Sequence, residues 1–157
     1  MFRSKRYYSS RALWWARGAV LLVWLSNLSA AVPYILWPER YLWAFEVQGV
    51  AGEVLVRSIG LLFVMWVVPY VPVILHPLRH RSCHTVIIIQ QLLGLAGESW
   101  ILATLPPGHP ALRNTGGRFV LFDLVGLLLL LVPWLLLRRR GDEGPKRKPR
   151  AGLKPPR

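Results

Sequence analysis

The chain has 157 residues, of which 54% are hydrophobic and only 17% are charged. This balance excludes an ordinary soluble domain, which carries more charge and less apolar material. The net charge of +13 is compatible with a polyanionic partner, but the basic residues are concentrated at the two ends of the chain. We therefore expect a membrane protein, and binding of nucleic acid is not favoured.

Four long segments carry almost no charge and predict membrane-spanning helices. They cover approximately residues 12–37, 52–75, 85–105 and 118–137. About 20 apolar residues, each rising roughly 1.5 Å, cross the hydrocarbon core of a bilayer. None of the segments has the polar stripe of a helix in a soluble bundle. The predicted fold is all-α: a polytopic membrane protein whose four-helix transmembrane domain covers residues 12–137.

The first segment also has the features of a secretory signal peptide. A basic start precedes an apolar centre, and Ser29, Ala30 and Ala31 could form a cleavage site. The apolar run nevertheless continues to Trp37, which gives it full spanning length. We therefore expect the first helix to be retained.

The basic residues predict how the four helices are oriented. Five lie in residues 1–17, nine lie in residues 138–157, and Arg79 and Arg81 lie between the second and third helices. These regions share one side of a four-helix membrane protein, and basic residues are enriched on the cytoplasmic side. We expect both termini in the cytoplasm and the protein in the cell (inner) membrane. Residues 1–11 then form a basic N-terminus, and residues 138–157 form a disordered tail that attracts anionic lipid headgroups.

The second helix contains Pro69 and Pro72, which remove two backbone donors and should bend or break it. Four side chains able to bind metal follow, namely His76, His80, Cys83 and His84. Arg79 and Arg81 repel cations, and Pro77 disturbs the helix that would align the histidines. These are weak candidates, and no metal site is expected. The single cysteine also excludes an internal disulfide.

The third helix contains an ionisable side chain, Glu98, within the apolar run "QQLLGLAGESW". Asp123 of the fourth helix and Arg57 of the second helix are expected at a similar depth. An ionisable group inside a membrane is normally paired, protonated or hydrated, and a guanidinium can bridge two carboxylates. The predicted polar cluster consists of Arg57, Glu98 and Asp123, with contributions from Glu53, Asn27 and Gln91.

Two interpretations of this cluster remain open. It could line a pocket for the polar head of a quinone, a lipid or a similar amphiphile, or its ion pairs could simply hold the helices together. The sequence has no histidine inside a predicted span, no phosphate-binding loop and no nucleophile motif. An accessory or binding module is favoured over an enzyme, and catalytic residues are unknown. A membrane oxidoreductase or isomerase and a structural subunit of a complex remain the alternatives.

A few polar positions and the architecture point to a family. Residues 12–137 contain four short-looped helices, Arg57 and Gly60 lie in "RSIGLLF", and acidic groups lie in the third and fourth helices. Together with both ends on one side, these features resemble the bacterial DoxX-like group of small membrane proteins. The resemblance implies an accessory role beside quinone-reactive oxidoreductase complexes, with a quinone as the candidate cofactor. The expected partners are the bilayer and either a membrane complex or a second copy of the chain.

Overall fold

The computed structural model describes the backbone of residues 10–142 and the side chains of residues 13–136. This part of the chain is helical and contains no strand. Its elements are α1 (Ser10–Leu36), a 3-10 helix that we call the connector (Pro38–Phe45), α2 (Gly49–Val67), α3 (Tyr70–Leu75), α4 (Arg81–Thr104) and α5 (Pro110–Asp142). The predicted N-terminal arm and tail lie outside the described residues, except that α5 continues into the tail as far as Asp142.

Four helical segments in the described ranges are long and apolar enough to cross a membrane. They are Leu13–Leu36, Gly49–Leu75, Arg81–Thr104 and Pro110–Leu136. Only a minority of the residues along them are buried inside the bundle, as expected where lipid is the solvent. The predicted all-α fold with four spans is confirmed, and the chain is a small integral membrane protein.

The second span is broken where α2 meets α3. Pro69 and Pro72 lack the N–H that an α-helix needs, so the turn tightens. The Val68 N–H donates to Met65 O, and the Val71 N–H donates to Val68 O, both at 3.3 Å. After this break α3 packs against α1 and α4 and buries the Tyr70 side chain completely.

The helices are packed unevenly. α1 contacts α2, α3 and α5, while α4 contacts α5 and α3. α2 packs on α1 and the connector but hardly approaches the backbones of α4 and α5. Gly60 allows the close contact with α1, because a Cβ there would lie 2.9 Å from Ala31 O. A gap therefore separates α2 from α4 and α5 near the connector.

We call the end of the bundle that carries the chain termini the terminal half, and the opposite end the connector half. The terminal half holds a cluster of buried side chains contributed by all five helices: Val20, Val23, Val67, Tyr70, Val73, Ile87 and Leu130. Lipid tails are as apolar as these side chains, so close packing, rather than exclusion from water, stabilises this half.

Three arginines satisfy carbonyl groups at the ends of neighbouring helices. The last carbonyls of a helix lack intrahelical partners and form the negative end of its dipole. The bonds are Arg17 Nη2 to Leu75 O at 2.9 Å, Arg57 Nε to Ile35 O at 3.2 Å and Arg113 Nη2 to Leu105 O at 3.3 Å. Basic groups therefore serve as helix caps in three of the four spans.

The connector is attached to the start of α5 through Glu46. One carboxylate oxygen accepts bonds from the N–H groups of Ala111 at 3.0 Å and Leu112 at 3.2 Å, and the other lies 2.6 Å from His109 Nδ1. The carboxylate supplies acceptors to unpaired donors in the first turn, where Pro110 is also favourable. The fourth span therefore begins at Pro110 and not at the predicted residue 118.

Candidate functional site

Arg57 does not join the two carboxylates of the predicted cluster. Its side chain is exposed, its Nε bonds Ile35 O, and within the described residues it forms no ion pair with Glu98 or Asp123. The reason is that α2 leans on α1, so the unpaired carbonyl at the end of α1 is the acceptor within reach. This corrects the predicted bridge from Arg57 to the acidic groups.

Two further predicted members also lie apart from the acidic groups. Asn27 is buried, but its amide donates to Val23 O of its own helix at 2.9 Å. Glu53 is half-buried near the start of α2, one turn before Arg57. In the described part of the chain neither side chain bonds Glu98 or Asp123. Asn27 follows a common local pattern, in which a short polar side chain bonds the carbonyl four residues earlier.

Gln91 and Asp123 are brought together, and Tyr70 joins them. The Gln91 amide donates to Asp123 Oδ1 at 2.7 Å, and the Tyr70 hydroxyl donates to Gln91 Oε1 at 3.2 Å. The indole of Trp66 interacts with the same hydroxyl. We call Tyr70, Gln91 and Asp123 the Gln91 network. Because its members come from α3, α4 and α5, the network connects these three helices to one another.

Two glycines provide the space for this network. A Cβ on Gly94 would lie 2.6 Å from Asp123 Oδ2, and a Cβ on Gly126 would lie 2.8 Å from Gln91 Nε2. Each helix therefore offers a glycine opposite the polar side chain of the other, and the backbones of α4 and α5 approach closely.

A cavity of about 670 Å³ occupies the gap between α2 and the α4–α5 pair. Its walls are mainly aliphatic and aromatic side chains, and its lining includes Phe45, Phe63, Trp66, Gln90, Glu98, Leu102, Thr115, Gly116 and Phe119. Leu62, Met65 and Ile101 also line it and are more than half exposed on the surface of the bundle. The cavity therefore opens sideways, on a surface that faces lipid when the helices span a bilayer.

The polar groups in the cavity wall are few. Thr115 donates its hydroxyl proton to Ala44 O at 2.8 Å. Gln90 Oε1 is buried without a hydrogen-bond partner. Glu98 is half-buried and has no ion-pair partner in the described residues. Glu98 is also close enough to Asp123 for the two charges to interact, so the cavity lies beside the Gln91 network.

Aromatic rings close the connector end of the cavity. Four of them form a closed circuit, in which the ring centroids are 5.7 Å apart for Tyr34 and Phe45, 6.4 Å for Phe45 and Phe119, 5.9 Å for Phe119 and Phe63, and 6.3 Å for Phe63 and Tyr34. The connector contributes one ring and the spans contribute the others. Aromatic pairs at such separations attract each other beyond simple burial. No sequence pattern predicts this circuit, because its members are far apart along the chain.

The four weak metal candidates are dispersed. The rings of His76 and His80 are 6.5 Å apart, and Cys83 packs against the terminal core. His84 is buried, and its Nε2 lies 3.2 Å from Leu130 O, one turn before Pro133. A carbonyl only accepts hydrogen bonds, so the ring carries a proton on that nitrogen. In the described part of the chain no three His, Cys, Asp or Glu side chains are grouped for metal binding.

The fold and the cavity define the class of this chain as a small four-span membrane protein with a pocket open to the bilayer. No protein-family model, curated protein or solved structure matches it. The functional argument therefore depends on the geometry of the cavity and of the Gln91 network.

Proposed function

We propose that the chain is a membrane-embedded binding module that takes the head of an amphiphile into the cavity. The observation that carries this proposal is an apolar cavity of about 670 Å³ that opens on the lipid-facing surface and contains Glu98. Ligand sites in proteins commonly have volumes of about 300 to 1,000 Å³, with apolar walls and a few polar groups. The two candidate classes of amphiphile are a quinone and a lipid.

The cavity and the Gln91 network differ in what they leave unsatisfied. Asp123 already accepts a short hydrogen bond from Gln91, so its polar requirements are partly met inside the protein. Glu98 has no such partner among the described side chains. An unpaired ionisable group inside a membrane is unfavourable by about 3 kcal/mol on insertion scales. Contact with the polar head of a ligand would offset this cost at Glu98.

The wider role proposed for the module is accessory. The DoxX-like resemblance supports a place beside a quinone-reactive membrane complex, and it rests on helix number and polar positions. The distribution of basic residues supports the cell (inner) membrane, with both termini in the cytoplasm. Residues 143–157 lie outside the described residues, and their basic composition supports attraction to anionic headgroups.

The experiment that tests the binding proposal compares two glycine variants. Gly116 lines the cavity, and a leucine there would fill it, because the nearest atom to a Cβ is the flexible end of Leu102 at 3.3 Å. Gly117 is the matched control, since a Cβ there meets nothing within 4 Å. Both proteins would be extracted in mild detergent and examined by native mass spectrometry.

We expect a quinone or lipid adduct on the wild-type protein and on Gly117→Leu, and its loss from Gly116→Leu. Glu98→Gln should weaken the adduct, whereas Glu53→Gln, at a carboxylate outside the cavity, should keep it. An adduct carried equally by all variants, or by none including the wild type, would contradict the proposed binding site. Thermal midpoints of each variant would show that the fold is retained.

A further inference from the structure

We infer that the cavity prefers an amphiphile with a positively charged ammonium head. This inference rests on the proposed function and specifies the ligand of that same site. It follows from which polar atoms face the cavity, from the positions of the basic residues and from the aromatic walls.

The ionisable group in the cavity wall is a hydrogen-bond acceptor when it is charged. Glu98 offers carboxylate oxygens without an ion-pair partner in the described residues. The hydroxyl of Thr115 is already committed as a donor to Ala44 O. A ligand that satisfies these acceptors must bring N–H or O–H donors, and charged donors form the strongest such bonds.

No arginine among the described residues forms an ion pair with Glu98. Arg57 bonds the end of α1, and Arg113 bonds Leu105 O at the end of α4. Arg118 is exposed and lies near Tyr34, and it forms no ion pair with Glu98. The negative potential of Glu98 in the cavity is therefore not cancelled by any described arginine within ion-pair distance, and it attracts a cation.

The aromatic side chains that line the cavity also favour a positively charged ligand. Phe45, Phe63, Trp66 and Phe119 line the cavity. The faces of aromatic rings attract ammonium groups, with tryptophan the most effective. An anionic head would be repelled by Glu98, and a quinone carbonyl offers no hydrogen-bond donor to the Glu98 carboxylate. The apolar part of an alkylammonium fits the remaining aliphatic lining and the lateral opening.

The test measures the binding of three probes with the same chain: decylammonium, decyltrimethylammonium and decanol. The full chain is held in neutral maltoside micelles, and equilibrium dialysis reports each Kd. We expect decylammonium to bind at least about tenfold more tightly than decanol, with decyltrimethylammonium between them because it has charge but no N–H donor. Equal Kd values for decanol and decylammonium would overturn the inference.

Variants connect this preference to Glu98. Glu98→Gln should raise the Kd of decylammonium by roughly tenfold and leave that of decanol within about twofold, because only the charge is removed. Glu53→Gln is the matched control and should change neither. If Glu98→Gln kept the preference for the cation, the inference would be wrong. Glu98→Asp, which keeps the charge, should retain most of the preference and guards against loss through misfolding.

The design separates this inference from the proposed function. If decanol binds as tightly as decylammonium, and if Gly116→Leu abolishes the binding of both, the cavity is a binding site but not one for ammonium. If no probe binds, or if Gly116→Leu leaves all binding intact, the proposed function itself fails.

Discussion

The two halves of the bundle both contain many apolar side chains, but they are packed differently. In the terminal half, side chains from all five helices interlock, and Tyr70, Ile87 and Leu130 are completely buried. In the connector half, α2 stands apart from α4 and α5, and a cavity remains between them. The break at Pro69 separates the two arrangements, because it lets α3 turn into the core while α2 stays against α1.

The two halves of this small chain therefore have different roles. Close packing and the Gln91 network hold the terminal half and the middle of the bundle together. The connector half keeps open space and an unpaired Glu98, which are the features that a ligand site needs. Regions with fewer buried contacts open more readily, so the connector half is expected to be the more adaptable.

The strongest test of the packed region replaces Gly94 by leucine. The new side chain would overlap Asp123 Oδ2, only 2.6 Å from the position of a Cβ, and overpacking of this kind costs about 3 kcal/mol. We expect a clear fall in the thermal midpoint, measured by scanning fluorimetry in detergent. Gly97→Leu is the control, because a Cβ there meets nothing within 4 Å. Equal destabilisation by both changes would mean that the contact between α4 and α5 is not responsible, and helix propensity could not explain the loss because leucine favours a helix more than glycine does.

The Gln91 network predicts a somewhat smaller effect for Gln91→Leu. This change removes the donor to Asp123 and the acceptor for Tyr70, and it leaves two polar groups unsatisfied at about 2 kcal/mol. Chemical denaturation in mixed micelles would report the loss of stability. Gln90→Leu, at the next position, removes no protein hydrogen bond seen in the described residues and should leave stability nearly unchanged. If the hydrogen bonds of the Gln91 network did not contribute to stability, Gln91→Leu and Gln90→Leu would have the same free energy of unfolding.

The variant Arg57→Leu tests whether Arg57 caps the end of α1 or, as the sequence predicts, bridges the two carboxylates. As a cap on the last turn of α1, Arg57 contributes about 0.3 to 1 kcal/mol. As a bridge between buried carboxylates its removal would cost about 3 to 5 kcal/mol. A double variant with Glu98→Gln should be additive, since the two side chains share no contact. Strong energetic coupling between Arg57→Leu and Glu98→Gln in denaturation experiments would instead support the predicted ion-pair bridge.

The smallest effect is expected at Glu46, which fastens the connector to α5. The hydrogen bond from His109 lowers the pKa of Glu46, and bonds from the Leu112 and Ala111 N–H groups act in the same direction. A lowered pKa means that the contribution to stability is complete above pH 4.5, the ordinary value, and is lost as the pH falls through the lowered pKa.

The thermal midpoint measured from pH 7 to pH 3 checks this expectation. The wild type should lose part of its stability at the acid end, and Glu46→Gln should lack that part of the pH dependence. Glu39→Gln, on the same connector, is the control and should behave as the wild type. If the wild type and Glu46→Gln gave identical pH profiles, the attachment of the connector would not depend on this carboxylate.

Part of the candidate site can be predicted from the sequence. Glu98, Asp123 and Gln91 were identified because polar residues are rare in apolar runs. Two other residues of the site, Tyr70 and Phe119, cannot be predicted in this way, because aromatic residues are common in a membrane protein. Arg57 was assigned to the acidic groups by depth alone, and depth does not specify towards which neighbouring helix a side chain turns.

The number of spans and the all-helical fold can be predicted from the amino-acid sequence, because a bilayer requires about 20 apolar residues per crossing and leaves no backbone polar group unpaired. In contrast, the packing of the helices places Glu98 at a cavity and bonds Asp123 to Gln91. The physical reason is that contacts between helices depend on their rotation and separation, which are set by Gly60, Gly94, Gly126 and the break at Pro69 acting together.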